Sequence, residues 1–258
     1  MRNASDFLNV AVEETHKFKV QEWLEKDEKV VASLAPSYFA EFDWEPGKMA
    51  GVLKDLGLFG VEETVTVLPE IVEARNRFIE NREKPIIFSS CPIIRKVVED
   101  EFPHLKKFLC GLPSPMVLHG KRLKERFPES KLIFIGPCPA KKREEDWFYE
   151  EHVYDAVLTF KELRDLLKNN NVDTKNSSPW SFLSTPQPWA RFGLLVYYES
   201  GLKKVIRFLK QWDNEQLKEP VVELLACEGG CLMGPGMTTR KTFKERLDVF
   251  RKFYEKEG

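Results

Sequence analysis

The sequence predicts an α/β fold built on parallel strands. Short apolar runs alternate with helix-like segments at a period of about thirty residues, the mark of right-handed β-α-β units. Three of those runs end on a cysteine, at the carboxyl edge where open parallel sheets bind their ligands. A chain of 258 residues is also long enough for one large domain or two lobes.

The elements follow in order. Asp6 to Leu24 reads as a helix, with Ser5 or Asp6 at its N-cap and Phe7, Val10, Phe18 and Trp23 on its apolar side. Val30 to Ala35 is a first strand, broken by Pro36-Ser37. Met49, Val52, Leu53 and Leu56 keep helical spacing until Gly57. Glu63 to Leu68 reads as a second strand, with a helix from Ile71 to Glu80 behind Pro69. Pro85 to Ser90 is a third strand, and Cys91-Pro92 opens the next helix. A helix runs on from Leu112-Pro113-Ser114-Pro115 through Leu123. Leu132 to Ile135 is a fourth strand, ending at Gly136-Pro137-Cys138, and Ala156 to Leu158 a fifth, followed by a helix from Lys161 to Lys168. Asn169 to Pro188 is polar and proline-rich and reads as a loop. Leu194 to Tyr198, a helix from Leu202 to Trp212, Val221 to Ala226 and a last helix from Thr242 complete the chain.

Composition narrows the function. A net charge of −1 argues against a nucleic-acid partner, which calls for a basic excess. No apolar stretch reaches the roughly 18 residues of a membrane span, so no membrane partner is expected. Met1 to Asp6 carries no signal-peptide core, so the expected setting is cytoplasmic and reducing. There, five cysteines are ligands or bystanders rather than disulfides.

Cys91, Cys138 and Cys227 each end a strand. Cys231 follows Cys227 across Glu228-Gly229-Gly230, and glycines let a backbone close around a bulky group. Helix N-termini at these positions favour thiolates and anionic clusters. Cys110, in Phe108-Leu109-Cys110, reads as a small core residue. Four thiolates fit an iron–sulfur cluster or structural zinc. Ligands spread from Cys91 to Cys231 are unlike a zinc knuckle, which puts a cluster somewhat ahead and leaves zinc open.

Three segments resemble the signature motifs of the [FeFe]-hydrogenase catalytic domain. They are Ser89-Ser90-Cys91-Pro92, then Gly136 to Glu144 with its Pro137-Cys138-Pro139-Ala140-Lys141-Lys142-Arg143, then Cys227 to Gly236. The Ala35-Pro36-Ser37 turn and the stretch Lys106 to Gly120 agree as well. The likeness runs from about Lys29 to Gly236 and is strongest to the family's short, divergent, sensory-type members. It implies two lobes, each with a four-stranded parallel sheet, and an iron–sulfur site in the cleft between them. The lobes are expected at 1–130 and 131–258, together one hydrogenase-like domain.

By matching positions, the resemblance implies a [4Fe–4S] cluster on Cys91, Cys138, Cys227 and Cys231. In active members the residue matching Cys231 also bridges to a diiron subcluster, near which Lys141 and Pro36 would lie. Glu73 matches a proton-path carboxylate only loosely, and an exposed helix position is its plainer reading. His119 reads as structural.

Departures count against the diiron unit and against turnover. Ser90 stands where active enzymes carry a proton-passing cysteine, Gly136 and Leu225 replace methionines, and Val117 replaces a glutamine. Ser90 and Lys141 are thus the candidate catalytic positions, neither of them assigned. Whether the chain is an enzyme is left open, and an efficient hydrogenase is not expected. The expected role is electron transfer or redox or hydrogen sensing, with a separate ferredoxin-like donor or hydrogenase-related protein as partner. The alternatives are a weakly or fully active hydrogenase carrying the diiron subcluster, and an iron–sulfur assembly scaffold.

Overall fold

The computed structural model describes residues 15–183, 197–212 and 221–254. The elements are α1 (Thr15–Glu25), β1 (Val30–Leu34), α2 (Tyr38–Phe42), α3 (Pro46–Asp55), β2 (Gly60–Glu63), α4 (Leu68–Glu80), β3 (Ile86–Phe88), α5 (Pro92–Glu101), α6 (Pro115–Arg126), β4 (Lys131–Gly136), α7 (Glu144–Phe148), β5 (Ala156–Thr159), α8 (Phe160–Asn169), β6 (Tyr197–Ser200), α9 (Leu202–Trp212), β7 (Val221–Leu225) and α10 (Phe243–Tyr254). Short 3-10 turns occupy Thr64–Val67, Pro103–Phe108, Pro139–Arg143 and Gly230–Met233.

The strands form two sheets, and every pairing is parallel. One has the order β2-β1-β4-β5, the other, among the described residues, β3-β7-β6. The α/β expectation is met. The second sheet has three described strands rather than four, with one further parallel bridge between Ile87 and Leu109.

A boundary at residue 130 does not divide the sheets. β4 pairs with β1 from Val30↔Lys131 to Leu34↔Ile135, so the first sheet draws strands from both sides of that point. The second likewise joins β3 to β6 and β7. The chain crosses from one sheet to the other and back, because a parallel neighbour can be reached only through a long crossover. An apolar run cannot reveal which sheet it will join.

A second correction concerns Glu63 to Leu68. The strand is Gly60–Glu63, in register with Val31 to Leu34, and Thr64–Val67 is a 3-10 turn. Thr66 Oγ1 donates to the Glu63 carbonyl at 2.9 Å, and such local bonding competes with strand pairing even in a β-branched run. Residues 6–14 of the expected first helix, and Leu194 to Val196 of the expected sixth strand, lie outside the described residues.

Both sheets are covered by helices, which is why their strands read as continuous apolar runs. Val30, Val31, Ala32, Leu34 and Ile135 are fully buried in the larger core. Ile87, Val222 and Leu224 pack with α5 and α9 residues, including Ile94, Val97, Val205 and Leu209, in a second core. Ala140 belongs to that second core although its turn follows β4, and Cys138 packs against it too. The turn after β4 therefore bridges the two sheets.

Caps fix several starts. Ser114 Oγ accepts from Val117 N–H at the head of α6. Thr159 and Glu162 form a reciprocal capping box on α8, a feature worth about 1 kcal/mol. His119 is fully buried between Ser33 Oγ (2.7 Å) and Glu62 Oε1 (3.1 Å), a core polar network as its structural reading implies. No helix among the described residues is long and apolar enough to cross a membrane.

Candidate metal centre

Cys91, Cys138 and Cys227 each sit where a strand has just ended. Cys91 is the N-cap of α5, with Pro92 in the first turn. Ser89 fixes its turn: its Oγ accepts from Cys91 N–H at 3.2 Å and donates to the Leu224 carbonyl of β7 at 2.8 Å. One serine thereby ties the Cys91 loop to the strand that leads into Cys227.

Cys138 follows β4 and precedes the Pro139–Arg143 turn. Its loop is tied to the last motif as well, because Gly236 N–H donates to the Pro137 carbonyl at 2.7 Å. A Cβ on Gly234 or Gly236 would come within 2.5 or 2.8 Å of that carbonyl oxygen, so the contact needs glycine on the approaching strand of chain.

Past Cys227 the chain turns sharply. Gly229 and Gly230 have φ of 80° and 69°, and Gly230 N–H closes the turn on the Cys227 carbonyl at 2.9 Å. Cys231 lies within the Gly230–Met233 turn.

Cys138, Cys227 and Cys231 each lie close enough to Cys91 and to a second motif cysteine for these to act on their acidity. Burial is the largest influence on Cys138, Cys227 and Cys231, and neighbouring cysteines push further the same way, up to about 12 in each case. Cys91 acts on all three, Cys231 on Cys138, Cys138 on Cys227, and Cys227 on Cys231. Cys231 is exposed by surface area yet crowded by protein, because what it faces is a cavity inside the site. Cys110 stands apart: burial raises its pKa, making it a weaker acid, and the charges that act on it are Arg75 and Arg95, not cysteines. Among the described residues, no three of His, Cys, Asp and Glu are grouped to hold a single ion.

A cavity of about 350 Å³ adjoins Cys138 and Cys231, with Pro36, Ser37, Ser90 and Lys141 in its wall. Ser37 Oγ is buried and has no hydrogen-bond partner among the described residues, so a donor and acceptor is left facing this region. Lys141 Nζ donates to the Ser90 carbonyl (3.0 Å) and to Glu144 Oε2 (2.6 Å), and its charge favours the Cys138 and Cys231 thiolates. The helical Lys141–Glu144 pairing is present. Glu73, by contrast, is an exposed residue of α4 paired with Arg77, away from the cavity.

Residues with no sequence signal hold the last loop. Arg246, on α10, donates from Nε, Nη1 and Nη2 to the carbonyls of Lys241, Leu232 and Thr239. Glu41, on α2, accepts from Thr238 N–H (2.8 Å), Thr239 N–H (3.1 Å), the Thr238 hydroxyl and Arg164 Nε (2.6 Å). Burial alone would raise the Glu41 pKa, but these donors outweigh it and hold the carboxyl below its usual range. Backbone carbonyls are the targets in the first case and an amide pair in the second, and neither is written in residue types.

Sequence comparison settles the lineage. The profile described as "Iron only hydrogenase large subunit, C-terminal domain" matches residues 28–193. The chain belongs to that family. It is 28% identical over 189 residues to iron hydrogenase 1 of Clostridium pasteurianum, covering 62% of this chain and 33% of that protein. It is 28% identical over 182 residues to the nuclear prelamin A recognition factor of Xenopus laevis, covering 57% and 39% respectively. The chain thus spans roughly a third of the length of these curated relatives. An [FeFe]-hydrogenase from Chlamydomonas reinhardtii superposes with a TM-score of 0.71 at 17% identity, over 93% of this chain and 90% of that one, which establishes the shared fold. The chain thus shares both the family and the fold of [FeFe]-hydrogenases.

Proposed function

We propose that Cys91, Cys138, Cys227 and Cys231 hold one [4Fe–4S] cluster that serves electron transfer or redox or hydrogen sensing, with little hydrogen turnover. The observation that carries this reading is the proximity of Cys91 to Cys138, Cys227 and Cys231, all three of which it influences, whereas no cysteine acts on Cys110. When bound, the cluster supplies one-electron redox chemistry.

The protein residues orient and insulate it. Ser89 fixes the Cys91 turn, Pro137 and Gly236 lock two ligand loops together, and Lys141 offsets negative charge. Low turnover follows from the wall of the adjoining cavity. Its Ser90 offers a hydroxyl where a relay needs a group that gives up its proton near neutral pH, and a serine hydroxyl is far too weak an acid for that. Electrons would come from a separate ferredoxin-like or hydrogenase-related donor in the cytoplasm.

A second reading has a specific support: the 350 Å³ cavity, with the Ser37 hydroxyl unpartnered among the described residues and Pro36, Lys141 and Cys231 in its wall, would suit a diiron unit. The two are separated by supplying the maturation machinery or a synthetic diiron complex anaerobically and recording infrared spectra. Carbonyl and cyanide bands without hydrogen evolution indicate a sensor, and their absence a cubane-only protein. Brisk evolution from the unaltered chain overturns the low-turnover reading, whereas evolution confined to Ser90→Cys supports it. Likeness to the prelamin recognition factor leaves room for an assembly role, which capture of iron–sulfur client proteins would reveal.

A further inference from the structure

The apolar face of α4 looks onto a cavity rather than a packed core. Leu68, Ile71, Val72 and Arg75 fall at helical spacing on one side of α4, and all four line a cavity of about 420 Å³. Ile71 is buried, yet Leu68, Ile71 and Val72 belong to none of the hydrophobic clusters of the described residues. The helix is held elsewhere. Ile79 packs against the cluster of Ile86, Phe88 and Val221, and Arg75 bridges to Glu223 of β7 at 2.9 Å. An apolar face set over a cavity forgoes contacts that a bound molecule would restore.

The rest of the wall sets the chemistry. Leu112, Pro113 and Pro115 continue the apolar lining. The charged groups form one closed pair: Arg75 Nη2 and Nη1 donate to the two Glu223 carboxylate oxygens at 2.9 and 3.4 Å, and the guanidinium lies 4.4 Å from the Phe88 ring centroid. An ion entering here would shed its water without meeting an unpaired opposite charge, a cost that an uncharged molecule escapes. One end is polar. Ser90 and Tyr198, which carry hydroxyls, also line the 350 Å³ cavity beside Cys138 and Cys231, as do Leu68 and Pro115, so the two cavities share a wall.

We propose that the cavity under α4 is a binding site for a small, uncharged, mainly apolar molecule carrying one hydrogen-bonding group. The apolar body rests between α4 and the Leu112–Pro113 stretch, and the polar group points to the end where Ser90 and Tyr198 stand. The volume falls within the roughly 300–1,000 Å³ of small-molecule sites, which are likewise mostly apolar with a few polar groups for orientation. Binding here needs no metal, so this site stands or falls apart from the cluster.

The test is calorimetric titration of the native chain with 2-naphthol, and with 2-naphthoate as its charged counterpart. 2-Naphthol should bind at a single site, and 2-naphthoate at least about tenfold more weakly, because its carboxylate must be desolvated. Ile71→Trp, which puts a larger side chain into the cavity, should weaken 2-naphthol binding by at least about tenfold. Phe78→Ser, at an exposed position of α4, should leave it unchanged. The unaltered chain supplies a second readout should Ile71→Trp fail to fold. Cys110 lines this cavity and not the one beside Cys138, so 2-naphthol should slow its alkylation by iodoacetamide several-fold, scored by peptide mapping. No binding of 2-naphthol, equal affinity for 2-naphthoate, full affinity in folded Ile71→Trp, or unchanged alkylation of Cys110 overturns the proposal.

Discussion

Arg246 and Glu41 both grip the loop after Cys231, one from α10 and one from α2. Neither touches a thiol, yet residues that orient metal-binding loops typically change affinity by about 10–100-fold when lost. Arg246→Gln should therefore speed the loss of iron to a chelator by at least about tenfold, with secondary structure intact by circular dichroism. Glu41 adds a pH dependence. Its folded pKa lies below the unfolded value, so its stabilisation is complete above the ordinary carboxylate range and is lost as pH falls through the depressed value. Acid melting curves of the native chain should accordingly show a loss of stability on acidification, part of it absent in Glu41→Gln. Glu144→Ala should cost about 3–5 kcal/mol, the scale for stripping one partner from a buried ion pair, since it strands the Lys141 ammonium; denaturant unfolding measures it.

Among the elements, the turn between Cys227 and Cys231 has the least latitude. Gly229 and Gly230 are both left-handed, which costs an L-residue about 1–2 kcal/mol, and a Cβ on Gly229 would also come within 2.8 Å of Phe243 and 2.9 Å of Met233. Gly229→Ala should lower the melting temperature and reduce iron occupancy, measured together on one preparation. The glycines, the prolines after Cys91 and Cys138, and the strand-end cysteines could all be read directly, because local backbone demands restrict residue type at each. The Thr64–Val67 turn could not. Its β-branched residues suit a strand, and only the register of Gly60–Glu63 on β1 and the Thr66 hydroxyl bond decide otherwise. Arg246 was equally hidden, since any carbonyl can receive a guanidinium.

At the scale of the whole molecule, the proposed ligand set spans both sheets. Cys138 leaves the first sheet after β4, while Cys91, Cys227 and Cys231 leave the second after β3 and β7. Parallel strands flanked by helices were legible from apolar periodicity; the interleaving of the two sheets was not, because pairing partners far apart in sequence leave no local mark. A group held from both sheets binds the native state alone and stabilises it. Loading iron should raise the melting temperature of the native chain, and Cys138→Ser, which removes the one ligand from the first sheet, should abolish most of that gain.

The convergence of the four thiols is tested most directly by counting metal. Anaerobic reconstitution followed by iron, sulfide and zinc analysis of the unaltered chain, Cys227→Ser and Cys110→Ser should give about four irons and four sulfides per chain. Cys110→Ser should match that value and Cys227→Ser should fall well below it. One zinc per chain with no sulfide, or full iron in Cys227→Ser alongside its loss in Cys110→Ser, would contradict the account.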